Sequence, residues 1–405
     1  MSDETPEYVI PPGGGVPWMD HTTGDTGRPP EREIAITDVS TMVLQGNFRW
    51  GIVRVDTDAG ITGFGEVHGD GPDDPGRLEG ENPLDVERLR DVMWEPGPGV
   101  EMALWDIKGK LLDVPVYELL GGRYRRDVRV YCDTHGGESL GEAQSADVDP
   151  REVYTPESYA EAAEEVVDAG FDAIKFDLDV RTHADVDTAA RRLDNAAIEH
   201  KVEIVDAVRR EVGYDVDLGF DLHWNFTVET ATRLAEKLET YDLAWLEDPV
   251  PPHKYDAHRR VREATRVPIM TGENLADPGE FTQMLDAEGL DVGAPDPHNC
   301  GGLRNFRRIA TLCDLEGVPI TAHNISGPVG TVAAAHAAAS VPNFLALEYH
   351  AFDVPWFEDL VARTGESGPI IDDGAIRVPE GPGLGIEIDP DVARQYLVDG
   401  EELIV

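Results

Sequence analysis

Short apolar runs that end in an acid alternate along this chain with stretches of helical periodicity, most regularly between residues 216 and 273. V-D-L-G-F-D-L-H-W begins at Val216, L-A-W-L-E-D-P at Leu243 and V-P-I-M-T-G-E at Val267. Between them, apolar positions recur every three or four residues over 228–238 and 255–264, the spacing of an amphipathic helix. The acids that close the runs, Asp221, Glu247 and Glu273, follow one another at intervals of 26 residues. In a (β/α)8 barrel one strand, one helix and two loops take about this length, so equal steps return the chain to the same height on neighbouring parallel strands. Three carboxylates then converge at the strands' C-terminal ends.

The alternation extends in both directions. Further strands are predicted over 128–132, 172–178, 291–294, 318–322 and 344–347, and further helices over 157–169, 198–212, 302–316 and 329–339. A polar segment over 179–195 lengthens the second connection. Upstream, 34–44 and 50–57 alternate as strands, D-A-G at Asp58 supplies a turn before I-T-G-F-G-E-V, and a helix from Met102 stops near Pro115. The predicted fold is α/β: a TIM-type barrel, (β/α)8 in its modified (β/α)7β form, over 125–368, behind an α+β capping domain over 33–124. An extension rich in Pro, Gly and Thr spans 1–32, and a tail over 369–405 is expected to pack back on the capping domain. Glycine-rich loops of the first domain, around 46–49 and 68–80, are free to cover a neighbouring site.

Charge changes the picture of partners. The 405 residues hold 80 acids against 34 Lys plus Arg, a formal net charge of -46. A field of that sign repels nucleic acid and anionic membranes, which excludes both as partners. The acids are spread along the whole chain, as in a surface adapted to high salt, and lysine occurs only at 108, 110, 175, 201, 237 and 254. The expected source is a halophile, an archaeon. Three cysteines, Cys132, Cys300 and Cys313, form no C-x-x-C pair and fit a reduced cytoplasm. The acidic N-terminus lacks the apolar segment of a signal peptide, and no apolar run reaches membrane-spanning length.

Three carboxylates at one barrel mouth repel each other unless compensated, and their oxygens suit a hard divalent cation, Mg²⁺ above all. The bland alternative is three solvated acids in an acid-rich chain; equal spacing after three apolar strands favours the cluster. Lys175 and Asp177 stand two apart on the second strand and share a face. His223 follows Asp221 by two, and strands six, seven and eight end at Asp296, His323 and Glu348. Asp296 and His323 fall on adjacent strands, where the carboxylate can hold the imidazole tautomer and raise its basicity. Asn47 and Arg49 on a capping loop, with Asp177, His298 and His350 at strand ends, are the candidate substrate contacts.

The motifs T-D-A-G-I-T-G-F-G-E (57–66), A-L-W-D-I-K-G-K (103–110), L-L-G-G (119–122), A-I-K-F-D (173–177), D-L-H (221–223), L-E-D-P (246–249), T-G-E-N (271–274), D-x-x-x-x-G-G from Asp296, A-H-N (322–324) and L-E (347–348) run through the chain. Over residues 33–385 it thereby resembles the enolase superfamily, specifically the mandelate racemase subgroup and, within it, the acid-sugar dehydratases. The resemblance implies Asp221, Glu247 and Glu273 as Mg²⁺ ligands, Asp296 with His323 as the general-base dyad, and Glu348 as a partner of the substrate carboxylate or intermediate. It also implies a homo-oligomer in which capping loops choose the substrate. The D-x-H on strand three is similar to that of galactonate and related aldonate dehydratases, where the histidine is the acid.

Two departures bear on the reaction. Many subgroup members carry a second strand-two lysine as a base, but here that position is Asp177, so Lys175 is assigned to neutralising the enolate. A cycloisomerase of the superfamily would place a lysine at the end of strand six, and none stands there. A proton α to a carboxylate is too weakly acidic for a side-chain base unless charge is placed beforehand for the enediolate. His323 is expected to remove the C2 proton of an acid sugar and His223 to protonate the departing 3-hydroxyl, giving a 2-keto-3-deoxy acid. Gluconate, galactonate and xylonate are candidate substrates. Two alternatives stay open: a racemase or epimerase using Lys175 and His323 on opposite faces, and a non-catalytic cation-binding halophilic protein.

Overall fold

Three antiparallel strands, β1 (Ile36–Gln45), β2 (Arg49–Thr57) and β3 (Thr62–His68), form the first sheet in that order. The computed structural model describes residues 34–69, 75–93, 97–136, 153–180 and 191–405. The expected N-terminal extension and most of the polar segment after the second barrel strand lie outside these residues. Helices α1 (Val86–Met93), α2 (Pro98–Leu112) and α3 (Val116–Leu119) follow the sheet. Helix α2 starts four residues before the expected Met102, because Pro98 is pre-set for a first helical turn, and it ends on Asp113 in the left-handed conformation. Asp106 in α2 accepts from Phe64 N at 2.9 Å, Leu384 N at 2.8 Å and Lys110 Nζ at 2.7 Å, so one buried carboxylate joins sheet, helix and tail.

The barrel strands are β4 (Asp127–Thr134), β5 (Ala173–Asp177), β6 (Asp217–Asp221), β7 (Trp245–Glu247), β8 (Ile269–Thr271), β9 (Val292–Gly293), β10 (Ile320–Ala322) and β11 (Phe344–Tyr349). They are parallel, run in sequence order and close through pairing of β11 with β4. The first seven are each followed by a helix: α4 (Pro156–Asp168), α5 (Asn195–Val212), α6 (Val228–Leu238), α7 (Tyr255–Arg262), α8 (Pro278–Asp286), α9 (Leu303–Leu315) and α10 (Pro328–Ala339). This is the (β/α)7β form. Thr155, Asp194, Thr227 and Asp277 each accept a backbone N–H at a helix start, which is why these helices begin where short oxygen-bearing side chains stand. Strand β9 is shorter than expected, but the ladder continues as single bonds such as Ala294 N to Thr271 O at 3.0 Å.

Inside the barrel Tyr131, Ala173, Trp245, Met270, Val292, Ala294 and Ala346 form an apolar cluster of their own. Several stand two residues before a polar side chain of the mouth, Tyr131 before Asp133, Ala173 before Lys175, Trp245 before Glu247 and Ala346 before Glu348. Residues two apart on a strand share a face, so the same inward face is apolar below and charged above. The glycine in V-D-L-G-F-D makes room for this plug, because a Cβ on Gly219 would lie 2.2 Å from the Trp245 ring. Beyond β11 the chain forms β12 (Val361–Arg363), β13 (Ile371–Asp372), β14 (Ala375–Arg377), β15 (Ile386–Ile388) and α11 (Pro390–Gln395). Strand β14 pairs antiparallel with β4, and Val398 N donates to Val43 O at 2.9 Å on β1, so the tail touches both layers.

Two buried glutamates dock the first sheet and helix onto the barrel. Glu66 of β3 accepts from Gly327 N at 2.5 Å and Gly330 N at 2.9 Å, at the start of α10. Glu101 of α2 accepts from Leu303 N at 2.9 Å and Arg304 N at 3.2 Å, at the start of α9. Each carboxylate thus meets helix N–H groups that have no partner within the helix. Burial nevertheless dominates and pushes both carboxyls from 4.5 up to about 7. The folded value exceeds the unfolded one, so each carboxyl stabilises the fold most below its unfolded pKa, and that contribution is lost as pH rises through the folded value. Unfolding free energy at fixed salt is expected to fall from about pH 5 to about pH 8. Glu66→Gln combined with Glu101→Gln should flatten that fall, and an unchanged slope would remove these carboxyls as its source.

Candidate active site

Asp221 and Glu247 close adjacent strands and pair in register, as do Asp177 and Asp221. The third acid corrects the equal-height expectation. Glu247 is level with Met270, so Glu273 lies three residues beyond the strand position that its spacing suggests. Strand β8 ends at Thr271, and Gly272 turns the chain at φ 148°, where a Cβ would come within 2.7 Å of the Phe281 ring. That turn brings Glu273 back, so Asp221, Glu247 and Glu273 each offer an oxygen within 4.8 Å of the others. All three are buried, and among the described residues neither carboxylate oxygen of Glu247 has a hydrogen-bond partner. Burial and the repulsion of Asp221, Glu348 and Glu273 push the Glu247 carboxyl well up, against the pull of Lys175. An all-oxygen set with buried, unpartnered lone pairs fits a hard divalent cation.

Lys175 is 2 % exposed and stands among four carboxylates. Its Nζ is 2.6 Å from Glu348 Oε1, 3.3 Å from Asp221, 3.4 Å from Glu247 and 3.5 Å from Asp133. Burial alone would lower it, but Asp133, Glu247, Glu348 and Asp221 together hold the ammonium well above its ordinary value. Glu348 also accepts from Tyr131 Oη at 3.1 Å and Asn324 N at 3.0 Å, and Lys175 with His323 keeps it ionised against burial.

On one side of the acid set, His323 Nδ1 lies 2.7 Å from Asp296 Oδ2 and its Nε2 3.3 Å from Glu273. Burial would lower the imidazole; Glu273, Glu348 and Asp296 outweigh it and hold His323 well above its ordinary value. Asp296 serves more than one partner, since His298 N donates to it at 2.6 Å and His68 Nε2 approaches at 3.4 Å from the end of β3. The His298 ring lies tilted against that of His68 at 4.3 Å and meets Ser326 Oγ at 3.2 Å.

On the other side, His223 Nε2 is 3.7 Å from Asp221, and its Nδ1 is 3.1 Å from Asp179 and 3.8 Å from Asp177. Burial opposes the charge, but these three acids push the imidazole up to about 12. The backbone here is strained, with φ 40° at His223, 51° at Trp224 and 39° at Asp248. It is braced by Trp224 N donating to Asp248 O at 2.6 Å and His223 N to Asp221 Oδ1 at 2.8 Å. The L-E-D-P motif therefore supplies both an acid of the cluster and the turn that supports the histidine.

Asn47 reaches His350, donating Nδ2 to its Nδ1 at 3.2 Å and to its carbonyl at 2.7 Å. Arg49 is exposed at the start of β2. Three residues brought to the mouth, Asp133, His135 and His68, have no counterpart in the sequence reading. The first two were reachable: Asp133 follows Tyr131 by two, the same-face rule applied to strand two, but the strand was expected to stop at Cys132. His68 belongs to another sheet, and no periodicity within the barrel points to it.

Residues 158–392 match the family described as enolase C-terminal domain-like, and residues 93–121 match the mandelate racemase / muconate lactonizing enzyme N-terminal domain. The chain belongs to the enolase superfamily. Within its mandelate racemase subgroup, this enolase-superfamily chain is 43% identical over 393 residues to a D-xylonate dehydratase of Haloferax volcanii, covering 92% of this chain and 91% of that protein. It is 31% identical over 309 residues to a D-gluconate dehydratase of Thermoproteus tenax, covering 76% of this chain and 57% of that one. A mandelate racemase/muconate lactonizing enzyme-like protein from Rubrobacter xylanophilus superposes with a TM-score of 0.86 at 38% identity, over 92% of this chain and all, 100%, of that one. No helix of the described residues is long and apolar enough to cross a membrane.

Proposed function

We propose that this enolase-superfamily protein is a Mg²⁺-dependent dehydratase of acid sugars, converting an aldonate to a 2-keto-3-deoxy acid through an enediolate. The observation that carries this reading is the placing of two carboxylate-backed histidines against different members of the acid cluster, His323 beside Glu273 and His223 beside Asp221. Dehydration needs a base for the C2 proton and an acid for the 3-hydroxyl, and one group on each side provides both.

Asp221, Glu247 and Glu273 would hold the cation, which supplies fixed positive charge for the developing enediolate. His323 takes the C2 proton on Nε2, with Nδ1 held by Asp296. Glu273, a main source of the charge that keeps His323 protonated, is one of the residues that would hold the cation, and with that charge taken up His323 would be free to act as a base. His223 keeps Asp177 and Asp179 beside it under the same condition, which preserves the imidazolium that an acid requires. The four acids around Lys175 favour its ammonium, so it stabilises negative charge and does not act as a second base. That disfavours the racemase. D-xylonate is the first substrate to test, since the 43% identical relative is named for it.

We also propose that the protein works in a cytoplasm at high salt. With 80 acids against 34 Lys plus Arg, self-repulsion opposes the fold wherever ions do not screen it. Transfer from molar KCl to dilute buffer is expected to unfold the chain, followed by circular dichroism. Full stability without salt would contradict the adaptation.

A further inference from the structure

The C2 and C3 chemistry leaves unused a polar group at the mouth beside β4, β5 and the end of β11. His135, one residue past β4, directs Nδ1 toward Asp177 Oδ2 at 3.5 Å. With its proton on Nδ1, facing the carboxylate, a neutral His135 presents Nε2 as an acceptor. That Nε2 is buried and has no hydrogen-bond partner among the described residues. The His350 ring meets that of His135 at 5.3 Å.

The tautomer of His350 is set from the capping domain. Asn47 Oδ1 accepts from Phe48 N at 2.9 Å, which fixes the amide with Nδ2 toward His350. That Nδ2 also donates to the His350 carbonyl at 2.7 Å and Asp353 Oδ1 at 3.0 Å, and since an amide NH2 cannot accept, a proton on His350 Nδ1 would face a donor; the ring proton is better placed on Nε2, 3.6 Å from Asp133 Oδ2. Burial above all pushes His350 down to about 3, so the ring is neutral. The Phe48 ring packs against it at 5.0 Å. One imidazole thus offers an acceptor, its neighbour a donor, and a sugar hydroxyl has a matching donor and acceptor on one oxygen.

We propose that His135 and His350 form the subsite that reads a hydroxyl of the sugar chain beyond C3, with Asp177 and Asn47 fixing their tautomers. The inference rests on the acid-sugar reading above. It assigns Asp177, at the position of the subgroup's second lysine, to substrate selection.

The test compares the best acid-sugar substrate with its 4-deoxy and 5-deoxy analogues. Wild-type kcat/KM is expected to fall about 10- to 100-fold on one analogue, mainly through KM, because an unpaired buried polar group is left behind. His135→Phe should lose a similar factor on the parent sugar and nothing further on that analogue. Asn47→Ala, in the half-buried turn between β1 and β2, should show the same pattern at smaller size and serves if His135→Phe does not fold. Equal losses on parent and analogues, or no wild-type discrimination against either analogue, would overturn the subsite. No turnover of any acid sugar by the wild type would instead overturn the reading on which it rests.

Discussion

In D₂O, His323→Asn is expected to give neither keto acid nor exchange of the C2 hydrogen, whereas His223→Asn should make little keto acid yet still exchange that hydrogen. The difference follows from where each imidazole stands. His323, held by Asp296 at 2.7 Å, is the group that breaks the C–H bond, and without it the reaction cannot begin. His223 acts one step later. Its removal leaves Lys175, the acid cluster and His323 in place, so the enediolate forms and returns while the 3-hydroxyl leaves slowly. Loss of a positioned acid typically costs about 10²–10⁴-fold in its step. Proton NMR of the recovered sugar acid reads the exchange and a keto-acid assay reads the product. Exchange surviving in His323→Asn and vanishing in His223→Asn would reverse the two roles.

Glu247→Gln is expected to lower turnover on the order of 10³-fold or more, because several kcal/mol of charge stabilisation depend on the cation. The fold should survive. A neutral amide of nearly the same size replaces a buried carboxyl whose oxygens have no hydrogen-bond partner among the described residues, so without Mg²⁺ the variant should be at least as stable as the wild type. The two proteins part when the ion is added. Binding to the folded state alone raises the melting temperature of the wild type, and calorimetry in molar KCl should show that rise shrink in Glu247→Gln. Near-normal activity with an unchanged Mg²⁺ response would remove Glu247 from the cation set.

The barrel was legible in the sequence because each strand carries its own local signal, an apolar run closed by a polar residue, and each helix a periodic face. Asp221, Glu247, Lys175 and Glu348 could be placed on that signal, since strand geometry fixes which way residues two apart point. Glu273 shows where spacing stops being enough. Its interval matches that of Glu247, but it reaches the cluster through the turn at Gly272 and not through strand register. Asp133 and His135 lie at and just past the end of a strand that runs to Thr134, two residues beyond the apolar run that marks it in the sequence, and strand ends carry the weakest local signal. His68 and the docking glutamates, Glu66 and Glu101, depend on how one layer seats on another. That information is spread over contacts between distant residues and leaves no local pattern. His350, Asp177 and Asn47 are among the candidate substrate contacts read from the sequence, but their meeting with His135 depends on how the loop between β1 and β2 seats on the barrel.

The central claim is tested most directly by incubating the wild-type protein with Mg²⁺ and a panel of aldonates, D-xylonate first, in molar KCl made up in D₂O, and following the products by NMR. The account predicts accumulation of a 2-keto-3-deoxy acid from at least one aldonate. Recovery of the sugar acid inverted and deuterated at C2, with no keto acid formed, would contradict it and restore the epimerase.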